Sequence, residues 1–78
     1  MVDIKLLSEL KPKDRGEVVK VRGTGSVHRR ILDMGVTKGA VIEVQKVAPL
    51  GDPIEVKIKG YNLSLRKSEA KNIEVRVI

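Results

Sequence analysis

The side chains that could do chemistry in this chain are few, and they begin with a single histidine. His28 is the only imidazole, and there is no cysteine, so the other metal ligands on offer are carboxylates. Imidazole and carboxylates suit ferrous iron, manganese or zinc. Asp33, however, lies five positions after His28, whereas residues three or four apart share a helix face. The sequence therefore predicts no metal ligand set and a solvated His28, and a transition-metal site shared with a partner stays open.

A catalytic nucleophile is not indicated either. Ser8, Ser26, Ser64 and Ser68 stand outside any Gly-x-Ser-x-Gly elbow, and no second histidine is present to act as a base. The glycines of residues 23–26 precede a predicted helix, where free N–H groups attract phosphate, but the Gly-Lys-Ser/Thr of a Walker loop is missing. We therefore expect a flexible connection at this point, and we expect the protein not to be an enzyme.

Three residues are candidates for contact with a partner protein. Arg29 and Arg30 flank the apolar stripe of the predicted helix, so both can point outward without disturbing the core. Leu50 lies in a loop rich in proline and glycine, with few neighbours to cover it. An exposed leucine beside arginines has the composition of an interface anchor with a charged rim. The alternative is that Leu50 covers one open end of the fold and that the arginines are only solvated.

The charge balance permits several kinds of partner and selects none of them. Sixteen Lys and Arg residues against ten Asp and Glu residues give a net charge of +6. Such a surface can contact nucleic acid, acidic lipid or an acidic protein face. Tyr61 is the only aromatic residue, whereas single-strand binders stack bases on aromatic rings. We therefore expect no nucleic acid as a partner.

Length and composition indicate one folded domain over residues 1–78. Hydrophobic residues make up 41% of the chain and charged residues 33%, which is typical of a globular protein. The apolar runs are far shorter than the roughly 18 residues of a transmembrane helix, and the first residues lack the apolar stretch of a secretory signal. Because cysteine is also absent, we expect a cytoplasmic protein that does not insert into a membrane.

The clearest structural signal in the sequence is a β-hairpin. Residues 54–58 and 61–65 both alternate between apolar and polar side chains, which is the period of a half-buried strand. A two-residue turn at Lys59-Gly60 would place apolar residues opposite one another in the pairs Ile58–Tyr61, Val56–Leu63 and Ile54–Leu65. A slip of one residue would expose half of them to water, so the sequence predicts this register.

One segment follows a helical period instead. Val27, Ile31 and Met34 recur at i, i+4 and i+7, as on one face of a helix covering about residues 26–34. Two turns do not form a stable helix alone in water. We therefore expect this stripe to lie on the sheet.

The ends of this helix carry recognisable signals. Thr24 or Ser26 can cap its start. Gly35 stands where a left-handed residue would end it, and Val36 could then pack back on Ile31 in a Schellman closure.

Other alternating segments complete a mostly β fold. The inward-facing residues that we predict in them are Val19, Val21, Ile42, Val44, Ile73, Val75 and Val77. Residues 48–53 form a loop, and residues 68–71 a single helical or 3₁₀ turn. Many short antiparallel strands with one short helix indicate a small closed or nearly closed barrel.

Specific strings carry a resemblance to a known family. They are Leu32-Asp33-Met34-Gly35-Val36, Lys38-Gly39, Ala48-Pro49-Leu50-Gly51-Asp52-Pro53-Ile54 and Leu63-Ser64-Leu65-Arg66-Lys67-Ser68-Glu69-Ala70. In this order and spacing the chain closely resembles, from Ile4 to Val77, the small A component of the bacterial and archaeal ferrous iron transport system, the FeoA family. The resemblance implies an SH3-like small barrel of about five to six short antiparallel strands, cytoplasmic and non-catalytic.

The resemblance also implies a function and a partner. Family members are accessory or regulatory proteins of ferrous iron transport, and they act with the large membrane B component, which carries a cytoplasmic GTP-binding domain. They are described as binding transition metals, yet no ligand set transfers to this chain residue by residue. The same module ends the metal-dependent repressors of the diphtheria toxin repressor type, so a stand-alone metal-responsive regulator is the alternative function.

Overall fold

The alternating segments form the strands of an antiparallel sheet in the computed structural model, which describes residues 3–78. The strands are β1 (Ile4–Leu6), β2 (Arg15–Val21), β3 (Val41–Val47), β4 (Ile54–Ile58), β5 (Tyr61–Leu65) and β6 (Ile73–Val77). Helix α1 (Gly25–Asp33) joins β2 to β3, and the one-turn helix α2 (Lys67–Ala70) joins β5 to β6. A 3₁₀ turn, Leu7–Glu9, follows β1. Within residues 3–78 no helix combines the length and the apolar character that crossing a bilayer requires.

The six strands follow the order β1-β6-β2-β3-β4-β5, and every neighbouring pair is antiparallel. The buried face of the sheet supplies most of the core, through residues Val18, Ile42, Val44, Ile54, Val56, Ile58, Leu65, Ile73 and Val75. Leu7 and Leu10 from the first connection and Ile31 from α1 close over it. The prediction of a mostly β, SH3-like small barrel is confirmed.

The predicted hairpin register is confirmed pair by pair. Ile58 lies opposite Tyr61, Val56 opposite Leu63, and Ile54 opposite Leu65. The turn residues Lys59 and Gly60 have φ of 51° and 85°, as a type I′ turn requires. The turn and the apolar pattern thus select the same register.

One of two irregularities in the sheet corrects the prediction for β2. Its register against β6 shifts between Val18 and Lys20, so Val19 is the extra residue of a β-bulge. Val18 is therefore the buried side chain, Val19 is only half-buried, and Val21 returns to the inner face opposite Ile73. The prediction that Val19 faces the core was wrong.

A second bulge lies in β3, whose register against β4 shifts between Val44 and Lys46. Ile42 and Val44 are buried as predicted, and beyond the bulge Val47 comes to lie opposite Ile54. Bulges bend a strand and increase its twist. The two bulges therefore help a single sheet of short strands to curl around one core.

Helix α1 begins and ends one residue earlier than the predicted 26–34, and its apolar stripe is covered unevenly. Ile31 is fully buried and Met34 packs against the core. Val27, in contrast, is 42% exposed and lines an open cavity between α1 and α2. The prediction that Val27 lies on the sheet was therefore wrong, because the first turn of α1 overhangs the barrel.

The predicted Schellman closure of α1 is present. Gly35 has a φ of 89°, and its N–H donates to the carbonyl of Leu32 at 2.9 Å. The N–H of Val36 reaches back to the carbonyl of Ile31 at 3.4 Å, and both of these side chains are fully buried. At the other end, Thr24 occupies the N-cap position, but its side chain makes no capping hydrogen bond.

Candidate docking surface

A salt bridge joins the two helices. Nε of Arg30 lies 3.2 Å from Oε2 of Glu69, whose side chain is only 9% exposed. The other carboxylate oxygen of Glu69 accepts the backbone N–H of Arg66 at 2.9 Å. Both oxygens are thus engaged, which is the condition under which a carboxylate can be buried.

This ion pair corrects one expectation about the candidate arginines. The side chain of Arg30 is 62% exposed, but its guanidinium is held by Glu69, so it does contribute to the packing of α1 on α2. Removing Arg30 would leave a buried carboxylate without its cation. Arg29 is exposed, and in the part of the chain that the structure describes it forms no ion pair.

The third candidate, Leu50, lies at the tip of the loop between β3 and β4 and is 93% exposed. It therefore covers no part of the barrel end. The loop itself is ordered by hydrogen bonds, since the N–H of Gly51 donates to the carbonyl of Ala48 at 2.7 Å. A leucine held outward on a braced loop is available to a partner.

The Leu50 loop is attached to the start of α2. The backbone N–H of Lys67 donates to Oδ1 of Asp52 at 3.1 Å, and a Cβ on Gly51 would lie 3.7 Å from Nζ of Lys67. Because α2 is in turn joined to α1 by Arg30 and Glu69, the three segments are continuous. We call the surface formed by the loop of residues 48–53, α2 and α1 the helix–loop face.

Two concavities flank α1 on this face. One, of about 370 Å³, lies between the helices and is lined by Ser26, Val27, Arg30, Arg66, Ser68, Glu69 and Asn72. The other, of about 470 Å³, is shallower and is lined by Gly23, Thr24, Gly25, His28, Arg29 and Leu32. Both combine an apolar side chain with hydroxyl, amide or guanidinium groups. They suit the side chains of a protein partner better than a buried small molecule.

With Arg66 just before α2 included, basic side chains exceed acidic ones on the helix–loop face by one: Arg29, Arg30, Arg66 and Lys67 against Asp33, Asp52 and Glu69. Arg29, Arg66 and Lys67 are exposed on it, whereas the carboxylate of Glu69 is neutralised by Arg30. Asp52 is partly engaged by a backbone N–H. A partner surface that carries carboxylates around an apolar patch is therefore complementary to it.

The structure brings no metal ligand set together around His28. This residue is half-buried in the shallower concavity, and no three His, Asp or Glu side chains among residues 3–78 lie close enough to hold one ion.

Sequence reasoning missed two residues that shape the face, Glu69 and Asp52. A local signal existed for Glu69, which stands three residues after the N-cap residue Arg66, where a carboxylate accepts the N-cap N–H. No local signal foretold its pairing with Arg30.

Known proteins and solved structures resemble this chain over most of its length. The family model described as the FeoA domain matches residues 5–77. A protein of Porphyromonas gingivalis described as a Fe(2+) transport protein A/Fe(2+) transporter FeoB fusion protein is 46% identical over 72 residues. The match covers 92% of this chain but only 8% of that protein, so the chain spans a small fraction of the curated relative.

Solved structures share the fold. The NMR structure of a FeoA-like protein from Clostridium acetobutylicum is 42% identical, with a TM-score of 0.91, over 100% of this chain and 91% of that one. A manganese-dependent transcriptional repressor matches with a TM-score of 0.89 over 100% of this chain and 44% of its own. At 18% identity, the repressor shows a shared fold alone.

Proposed function

Because the chain belongs to the FeoA family, we propose that it is a non-catalytic accessory protein of ferrous iron transport, which docks in the cytoplasm on the GTP-binding part of the membrane transporter. The observation that carries this proposal is the fused relative, in which a segment 46% identical to this chain is described as part of one polypeptide with the transporter. Fusion raises the effective concentration of one module for another. It is therefore expected for modules that work in contact.

The helix–loop face supports this proposal as the docking surface. It presents Leu50, which is 93% exposed, and basic side chains around it. A protruding apolar side chain can fill a pocket on the partner, while the surrounding charges speed and orient the encounter. The contacts of Asp52 with the start of α2 and of Arg30 with Glu69 join the loop to both helices.

The test measures binding of the purified cytoplasmic domain of the transporter to the intact protein by titration calorimetry. Leu50→Ser and Arg29→Glu should each weaken binding roughly tenfold, since one removes the anchor and the other reverses a rim charge. Lys20→Glu, an exposed charge reversal on β2 outside the helix–loop face, is the matched control and should leave affinity unchanged. Arg30 is left intact, because its substitution would also disturb Glu69.

Melting curves recorded on the same variants separate binding from folding. Both Leu50 and Arg29 are exposed, so their substitution should leave the melting temperature nearly unchanged. Full affinity in both variants would place the docking surface elsewhere, and an unaltered protein that does not bind the domain at all would contradict the proposed function.

The alternative function, a stand-alone metal-responsive regulator, is separated by a different measurement. A regulator of that kind must bind its metal by itself, whereas a docking module need not. Equilibrium dialysis of the isolated protein against ferrous iron or manganese distinguishes the two. Stoichiometric retention of either ion would favour the regulator.

A further inference from the structure

β5 ends the strand order of the sheet and is paired on one side only, with β4. In a two-residue hairpin the residues that flank the turn exchange both backbone hydrogen bonds with each other. Every second residue, starting with the next one, therefore points its N–H and C=O groups away from the partner strand. On β5 those residues are Asn62 and Ser64. Both are exposed, and within residues 3–78 their backbone groups have no hydrogen-bond partner outside the sheet ladder.

This edge lacks the features that keep other edge strands from pairing. Natural edges are blunted by charged side chains, proline, bulges or short length. β5 has five residues without a charge or a proline, and its register with β4 is regular. The other outer strand, β1, has only three residues and carries Lys5. The open edge of β5 is therefore the place where an additional strand can join this sheet.

The bases at the two ends of β5 favour a strand with acidic ends over a second copy of this chain. Lys59 precedes β5, and Arg66 and Lys67 follow it, all of them exposed. If two copies of this chain paired antiparallel along β5, Lys59 before one strand would come near Arg66 and Lys67 after the other, and these like charges would oppose pairing.

We propose that the free edge of β5 binds an extended segment of a partner protein that has an uncharged centre and carboxylates at both ends. The backbone groups of Asn62 and Ser64 supply hydrogen bonds to this segment, and the flanking bases supply charge complementarity. The site shares Arg66 and Lys67 with the helix–loop face, but it does not include Leu50 or Arg29, which the docking test substitutes.

The probe for this proposal is a synthetic peptide of alternating threonine and valine with two glutamates at each end. Titrated into the ¹⁵N-labelled protein, it should slow hydrogen exchange at the amides of Asn62 and Ser64, which exchange fast in the free protein because they face water. A peptide with lysines in place of the glutamates should bind at least roughly tenfold more weakly. A glutamate peptide whose backbone nitrogens facing β5 are methylated should also bind more weakly, because it cannot donate hydrogen bonds to the edge of β5.

Two variants of the protein complete the test. Arg66→Gln should weaken binding of the glutamate peptide severalfold, whereas Lys20→Gln on β2 should not. Equal binding of the methylated peptide, or exchange protection confined to residues outside β5, would overturn the proposal. Dimerisation of the free protein with protection of the same two amides would also overturn it, since a second copy would then be the occupant. No transporter domain is used, so failure here leaves the docking proposal standing.

Discussion

Gly35 carries two separate constraints, and a second glycine allows them to be measured apart. Its φ is 89°, and a Cβ at this position would lie 2.6 Å from the hydroxyl of Tyr61, which donates to the carbonyl of Met34. Gly39 has almost the same backbone, with a φ of 92°, but a Cβ there would meet nothing within 4 Å. Backbone strain alone is therefore isolated at Gly39.

We predict that Gly39→Ala lowers the free energy of unfolding by about 1 kcal/mol, because an L side chain is strained in the left-handed region. Gly35→Ala should lower it further, because Tyr61 must also move, and Gly35→Val further still. Urea unfolding of each variant measures the difference. In a Tyr61→Phe background the hydroxyl is gone, so Gly35→Ala should fall to the loss seen for Gly39→Ala. If Gly35→Ala and Gly39→Ala lowered the free energy of unfolding equally with Tyr61 present, the contact with the Tyr61 hydroxyl would have no effect on stability.

At the scale of single residues, the features that could be predicted are those determined by residues close together in the sequence. The roles of Gly35 and Val36 in ending α1 were predictable because a helix C-terminus depends on a few adjacent residues. The exposure of Arg29 followed from its place beside the apolar stripe. The pairing of Arg30 with Glu69 could not be predicted, because these residues are 39 positions apart and meet only after the sheet has brought α1 and α2 together.

Among the elements, the β4–β5 hairpin has one turn residue, Lys59, whose residue type is unfavourable for its backbone conformation. Lys59 has a φ of 51°, a conformation that asparagine adopts more readily than lysine. We predict that Lys59→Asn raises the free energy of unfolding by several tenths of a kcal/mol. Lys57→Asn, at an exposed position within β4, is the matched control. It should not stabilise the protein, because asparagine is disfavoured inside strands. Thermal melts of both variants decide the matter, and an equal rise in both would exclude the turn as the cause.

The elements that escaped prediction are those without a local pattern. β1 has three residues, two of them exposed, too few for alternation to be distinguished from chance. The bulge at Val19 shifts the alternation of inward-facing and outward-facing residues in β2 by one position. It is seen only in the pairing of β2 with β6, and no residue type within β2 predicts it. The hairpin, in contrast, is a closed unit whose pairing is decided within twelve residues, 54–65.

For the molecule as a whole, we predict that the isolated protein neither binds nor hydrolyses GTP. The chain has no Gly-Lys-Ser/Thr segment to hold a triphosphate. Addition of GTP and magnesium should leave its melting temperature unchanged, while the transporter's GTP-binding domain should be stabilised in the same assay. Hydrolysis that persists through repurification and in a His28→Ala variant would contradict this prediction.

The position of β6 has a consequence for how the molecule is made. β6 lies between β1 and β2 and pairs with both. Of the six described strands, β1 therefore has no neighbour in the sheet until β6 has been synthesised. β2 to β5 can begin to associate earlier, since each is next to a strand close to it in sequence. Pairing of distant segments is slow because a long loop must close first. The sheet can therefore be completed only after β6 has been synthesised, and a nascent chain stalled before Ile73 would leave β1 unpaired and open to proteolysis.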